Sequence, residues 1–197
     1  MDWRLLIILI GALLVIVTLA ISWFGSKTPP IIREFVNYFN LHKYQGEITD
    51  LLHYSQYFSH LPQINWQYFY GGKREGKELY FGLFDQAGVN FTFFLLADEV
   101  RPMIISSSDQ KYNWPEQRPI HINGQIYTIT APETYIIDNL VKSNDLLISL
   151  SDLFQGQVNC LEFTELNQII FITDYQFADN RQLIEIFSQF FKLKEKI

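Results

Sequence analysis

The stretch Leu5–Phe24, LLIILIGALLVIVTLAISWF, constrains the chain most. It holds 20 residues without a charge, and only Gly11, Thr18 and Ser22 fall outside the apolar set. As a helix it would extend about 30 Å, the depth of a bilayer's hydrocarbon core. A helix pairs its own backbone groups and so can sit in lipid without orphaned donors. Trp3 and Trp23 lie at its two ends, where indole rings favour the interface, and Arg4 and Lys27 bracket it. The expectation is a retained membrane anchor. A cleaved leader is the rival, with Ala20-Ile21-Ser22 as its small-x-small site, but the apolar run exceeds the usual leader core. Lys27, Arg33 and Lys43 outnumber the basic residues before the run, which favours a cytoplasmic C-terminal side of a bacterial inner membrane.

Beyond the run, period and punctuation organise the remainder. Thr28-Pro29-Pro30 opens a helix with a stripe at Ile32, Phe35, Val36 and Phe39. A second helix is predicted from Glu47 to about His60, stopped by Pro62. The period then changes to two. Strands are expected at Ile64–Tyr70, Leu79–Leu83, Val89–Leu95 and Met103–Ile105, separated by turns at 71–77, 85–88 and 98–102. Short connections of this kind imply an antiparallel meander. Asn123-Gly124 between two apolar runs signals a type I′ hairpin. A helix is expected to open at Thr130–Glu133, with Thr130 as its cap, and to break at Ser143-Asn144-Asp145 before resuming. A hairpin over 158–173 and a last helix from about Asp179 complete the reading.

The predicted class is therefore α+β: an N-terminal transmembrane helix, two short helices, an antiparallel β-meander, then hairpin, helix pair, hairpin and helix. Three regions are expected, an anchor over 1–27 (helix about 5–24), a helical connector over 28–62 and a globular domain over 63–197. Aromatics reach 16% of the 197 residues, and charged residues only 18%, so the chain has ample surface to bury and is not disordered. A net charge of −6 argues against nucleic acid as a partner. One cysteine excludes an internal disulfide framework and a multi-cysteine zinc site.

No motif for catalysis or for a cofactor emerges. Gly71–Lys77 matches the start of a phosphate-binding loop, but Glu78 stands where a magnesium-holding hydroxyl is needed and a strand follows. His53 and His60 are seven apart, not at the i, i+4 spacing of a helical zinc pair. Cys160 lies in a strand with no local base; His121, Asp85 and Glu133 are the residues from which a distant site would have to assemble. The polar–aromatic group Trp66, Tyr68 and Tyr70 beside Lys73 and Arg74 is the candidate partner-binding surface, with core packing as the competing role of its rings.

The order of elements over 64–197 resembles a set of uncharacterised bacterial single-span membrane proteins. The residues that carry the likeness are the Gly-rich basic turn Gly71–Lys77, the strand Leu79–Asp85, the apolar strand Phe91–Leu96 and the segment Tyr127–Glu133 leading into a helix. It implies an anchored α+β domain and assigns no activity. The expected function is thus a membrane-anchored, non-enzymatic interaction or scaffold protein, with the bilayer and another protein as partners. The alternatives are an enzyme with a dispersed site and a module holding a lipid or small ligand in an apolar cavity between sheet and helices.

Overall fold

The computed structural model describes residues 3, 10–11, 13–17, 28–61, 64–107 and 112–193. The chain divides into two units, residues 1–34 and Phe35–Ile197. In the first, residues 10–11 and 13–17 are helical and Pro30 begins helix α1 (Pro30–Tyr38). The transmembrane helix expected over 5–24 is not supported. Among the described residues no helix is long and apolar enough to cross a membrane. The rest of the expected span lies outside the described residues. The single-pass inner-membrane placement and its cytoplasmic orientation lose their support with it.

Among its described residues the second unit is built on one antiparallel sheet of nine strands. They are β1 (His42–Lys43), β2 (Asn65–Arg74), β3 (Lys77–Gln86), β4 (Val89–Ala97), β5 (Met103–Ser106), β6 (Glu116–Ile122), β7 (Gln125–Ala131), β8 (Asn159–Phe163) and β9 (Gln168–Thr173). Their order across the sheet is β1-β2-β3-β4-β9-β8-β5-β7-β6. The expected four-strand meander is corrected here. It holds from β2 to β4, but β5 does not pair with β4. The hairpin β8–β9, late in sequence, inserts between them: Phe93 lies opposite Ile172, and Ile105 opposite Leu161. Placed at the centre, β8 is buried throughout and β9 almost so. That explains their continuous apolar runs, since a strand covered on both faces has no polar side to alternate with.

Three two-residue turns set the register of the flanking hairpins. Glu75-Gly76, Ala87-Gly88 and Asn123-Gly124 all have positive φ at both positions, the geometry of type I′ turns. Gly71-Gly72, expected in a turn, continue strand β2 instead.

Helices cover both faces. On one lie α2 (Ile48–Leu52) and α3 (Gln56–Ser59), where a single helix to His60 was expected. Ser55 breaks it by capping α3, its Oγ accepting from the Phe58 N–H at 3.2 Å. Under this cover Tyr57 and Phe58 join Phe69, Phe84, Phe93, Ile170 and Ile172 in one cluster. On the other face lie α4 (Thr134–Lys142), α5 (Asn144–Leu153) and α6 (Asn180–Leu193). There Phe171 stacks between Phe94, Phe154 and Phe190, and Phe35 packs on Phe81 and Phe187. Thr130, expected to cap α4, is buried in β7, and Glu133 occupies the cap position without a side-chain bond.

Gly82 sits at the centre of β3, beneath the indole of Trp66. A Cβ there would lie 2.7 Å from Trp66 and 2.9 Å from Phe69. Gly82→Ala is expected to cost about 1–3 kcal/mol by overpacking. Urea unfolding measures it; an unchanged midpoint would mean that the indole does not lie across this strand.

Candidate functional site

The insertion of β8–β9 forces the β4–β5 connection, residues 98–102, to pass the end of that hairpin. β4 and β5 stand three strand spacings apart, about 14 Å. The connection is tied down as it crosses. Asp98 pairs with Lys77 at 2.5 Å and donates its N–H to the Asn167 carbonyl at 2.8 Å. Asn167 holds the turn with φ of 59° and donates its own N–H to the Thr164 carbonyl. Across from this loop, α4 is anchored to β6 by Arg118, whose Nη1 donates to Asp138 at 2.8 Å. Ser143 ends α4 and caps α5, accepting from the Leu146 N–H at 3.4 Å.

Between loop, turn and helices lies a groove of about 670 Å³. Met103, Ile136, Leu140 and Leu146, all buried, form its floor, and Val100 its flank. Glu99, Arg101, Asn139, Ser143 and Asn167 supply polar groups around it. The Arg101 guanidinium lies 5.3 Å from the ring centre of Tyr135 at its edge, a cation–π contact that leaves the N–H edge available. Among the described residues neither Glu99 nor Arg101 forms an ion pair. An apolar floor within a polar rim suits a ligand that is itself amphipathic.

The residues singled out from sequence lie elsewhere and on two faces. β2 carries an irregularity between Trp66 and Tyr68, which puts them opposite Phe84 and Leu83. Such a bulge reverses the alternation. Trp66 therefore joins Phe69 and Phe93 under α3, while Tyr70 stacks on Phe81 beneath the other helices. Tyr68, opposite Leu83, is on the side of Tyr70. Arg74 lies over Phe39 and Phe191 at 5.0 and 5.5 Å, also on that side. Lys73 is on the Trp66 side, 4.0 Å from Glu78, at a shallower depression of about 530 Å³ that it shares with His42, Lys43 and Tyr80.

The dispersed residues do not assemble into a reaction centre. Asp85 in β3 and His121 in β6 are each three strands from Cys160 in β8, about 14 Å, beyond any hydrogen-bond relay. Glu133 lies past the end of β7. Burial pushes the Cys160 thiol well above its ordinary range, which disfavours the nucleophilic thiolate. Among the described residues no group of three metal-binding side chains occurs.

One buried acid escaped the sequence reading. Glu162, in the middle of β8, is fully buried. Its carboxylate accepts from Ser55 Oγ at 2.5 Å, from the Gln56 N–H at 2.6 Å and from the Tyr57 N–H at 3.3 Å. A charge inside the run Cys160-Leu161-Glu162-Phe163 was the available signal. Ser55 and Glu162 do not line the groove, and their bonds hold α3 on the sheet. Desolvation raises the Glu162 carboxyl from 4.5 to about 7, against the lowering effect of its three donors. When protonated, it can donate to Ser55 by reversal of the hydroxyl.

No known family profile matches the chain, and no curated protein sequence matches it. Among solved structures, that of the mycobacterial trehalose monomycolate transport factor A, TtfA, is similar with a TM-score of 0.59 and 11% identity, over 83% of this chain and 90% of that one. That likeness shows a shared fold.

The raised Glu162 carboxyl fixes the sign of a pH effect. Below about 4.5 both folded and unfolded chains hold the proton, and the contribution to stability is complete. Between 4.5 and 7 the unfolded chain releases it first, so stability falls as pH rises through 7. The full swing is about 3 kcal/mol. The stability of the protein relative to Glu162→Gln should therefore decline from pH 5 to pH 8 in denaturant titrations. A constant difference across that range would refute the assignment.

Proposed function

We propose that this chain is a non-catalytic binding module that holds a small amphipathic ligand, of the lipid class, in the groove between the β4–β5 loop and helices α4 and α5. The observation that carries the reading is the groove's two-sided chemistry: an apolar floor of Met103, Ile136, Leu140 and Leu146 beneath side chains of Asn139, Asn167 and Arg101. Its volume of about 670 Å³ falls within the 300–1,000 Å³ typical of ligand sites. The fold shared with a trehalose monomycolate transport factor is compatible with a lipid ligand, although at 11% identity it carries the architecture alone. A scaffold role through Trp66, Tyr68, Tyr70, Lys73 and Arg74 is less favoured, because these residues are divided between two faces of the sheet.

The uncharged fluorescent probe N-phenyl-1-naphthylamine tests the reading on the full chain. Saturable enhancement is expected. It should fall at least about tenfold in Asn139→Trp, which fills the groove from an exposed position on α4 without altering the core. Val100→Trp provides an independent plug from the loop side. The portion lost in both variants separates the groove from the apolar N-terminal run. Absence of saturable binding, or binding indifferent to both plugs, would overturn the reading.

A further inference from the structure

We infer that the groove selects amphiphiles with an uncharged, polyhydroxylated head over those whose head carries net charge; the inference rests on the groove reading above and specifies its ligand. The argument starts from the polar rim. Glu99 and Arg101 both line the groove, two residues apart, and neither is neutralised by an ion pair among the described residues. Their charges cancel across the site. An anionic head drawn to Arg101 meets Glu99, and a cationic head drawn to Glu99 meets Arg101, so neither gains a net Coulombic advantage.

Hydrogen-bonding capacity points to the same class. The guanidinium only donates, an ionised carboxylate only accepts, and each amide does both. Among the described residues the side chains of Asn139 and Asn167 have no hydrogen-bond partner in the protein. A set of donors and acceptors spread over a few ångströms with no net charge matches hydroxyl groups, each of which donates one bond and accepts up to two. Arg101 is held at the rim by Tyr135, itself 45% exposed, so the guanidinium edge is oriented before a ligand arrives. The floor remains apolar, which places a hydrocarbon chain below and the polyol above.

The test uses the full chain and three dodecyl amphiphiles, each below its micelle concentration: dodecyl maltoside, dodecanoate and dodecyltrimethylammonium. Each displaces the naphthylamine probe from the groove, the reference being the fraction that Asn139→Trp abolishes. Dodecyl maltoside is expected to displace it with an apparent Kd at least about tenfold below those of the two charged compounds, a difference of about 1.4 kcal/mol. Arg101→Gln should raise the ammonium compound above dodecanoate, and Glu99→Gln should do the reverse. Equal or tighter displacement by a charged compound in the unaltered protein would overturn the inference. So would an order of preference that neither substitution changes. If the probe binds in the plug-sensitive manner and none of the three displaces it, the head-group inference fails while the groove reading stands. If the probe itself shows no plug-sensitive binding, the groove reading fails first.

Discussion

The rest of the structure depends on the insertion of the β8–β9 hairpin between β4 and β5. Central strands cannot alternate between core and solvent, so every side chain of β8, and nearly every one of β9, must find cover. That need places α2 and α3 on one face and α4, α5 and α6 on the other. The same insertion separates β4 from β5. The connecting loop then crosses the tip of the hairpin, where Asp98 and Asn167 join backbone to backbone. A loop that bridges two strands while tethered at their turn reaches α4 through Arg101 over Tyr135 and does not close over the apolar floor. The groove is the space that remains. The candidate site is thus a consequence of the order in which strands pair, and its lining comes from segments separated by up to 68 positions, from Glu99 to Asn167.

Local features were legible in the sequence, and non-local ones were not. The positive-φ turn at Asn123-Gly124 is written in adjacent residues, because asparagine and glycine adopt that backbone more readily than other residues, whereas the turn at Glu75-Gly76 was legible only as part of the wider stretch 71–77. The helices around Phe35, Ile137, Leu150 and Phe187 are written in a 3.6-residue period. Nothing in a period states which strands become neighbours, so the separation of Met103–Ser106 from Val89–Ala97 left no mark. The bulge between Trp66 and Tyr68 is silent for a related reason. One added residue reverses the facing of an aromatic-rich strand without altering its composition, and a surface drawn through all five residues crosses from one face to the other. Asn139 and Asn167 look like ordinary solvated residues of a helix and a turn, and only the tertiary arrangement sets them over an apolar floor. At the N-terminus, hydropathy alone suggested a span of lipid. Among the described residues no helix of that length and character is present.

Glu162 shows how one polar residue in such a core is tolerated and what it fixes. A carboxylate in a central strand bears a large desolvation cost. A short helix that begins over an aromatic cluster bears another, because its first N–H groups have no partner within the helix. The two deficits meet at one point. The Gln56 and Tyr57 N–H groups and the Ser55 hydroxyl all donate to Glu162, so each offsets what the other lacks. An apolar residue at 162 would remove the buried acid and leave two backbone donors unsatisfied beneath the cover. The break between α2 and α3, which no period in the sequence required, is therefore set from 107 positions away by the acid in β8. The position of α3 then decides which aromatic rings close this face. Tyr57 and Phe58 follow directly from the anchored cap and seal the cluster around Phe69, Phe84 and Phe93. The face with the buried acid is thus closed by specific bonds, while on the opposite face the loop touches α4 where Arg101 lies over Tyr135 and leaves the groove beside that contact.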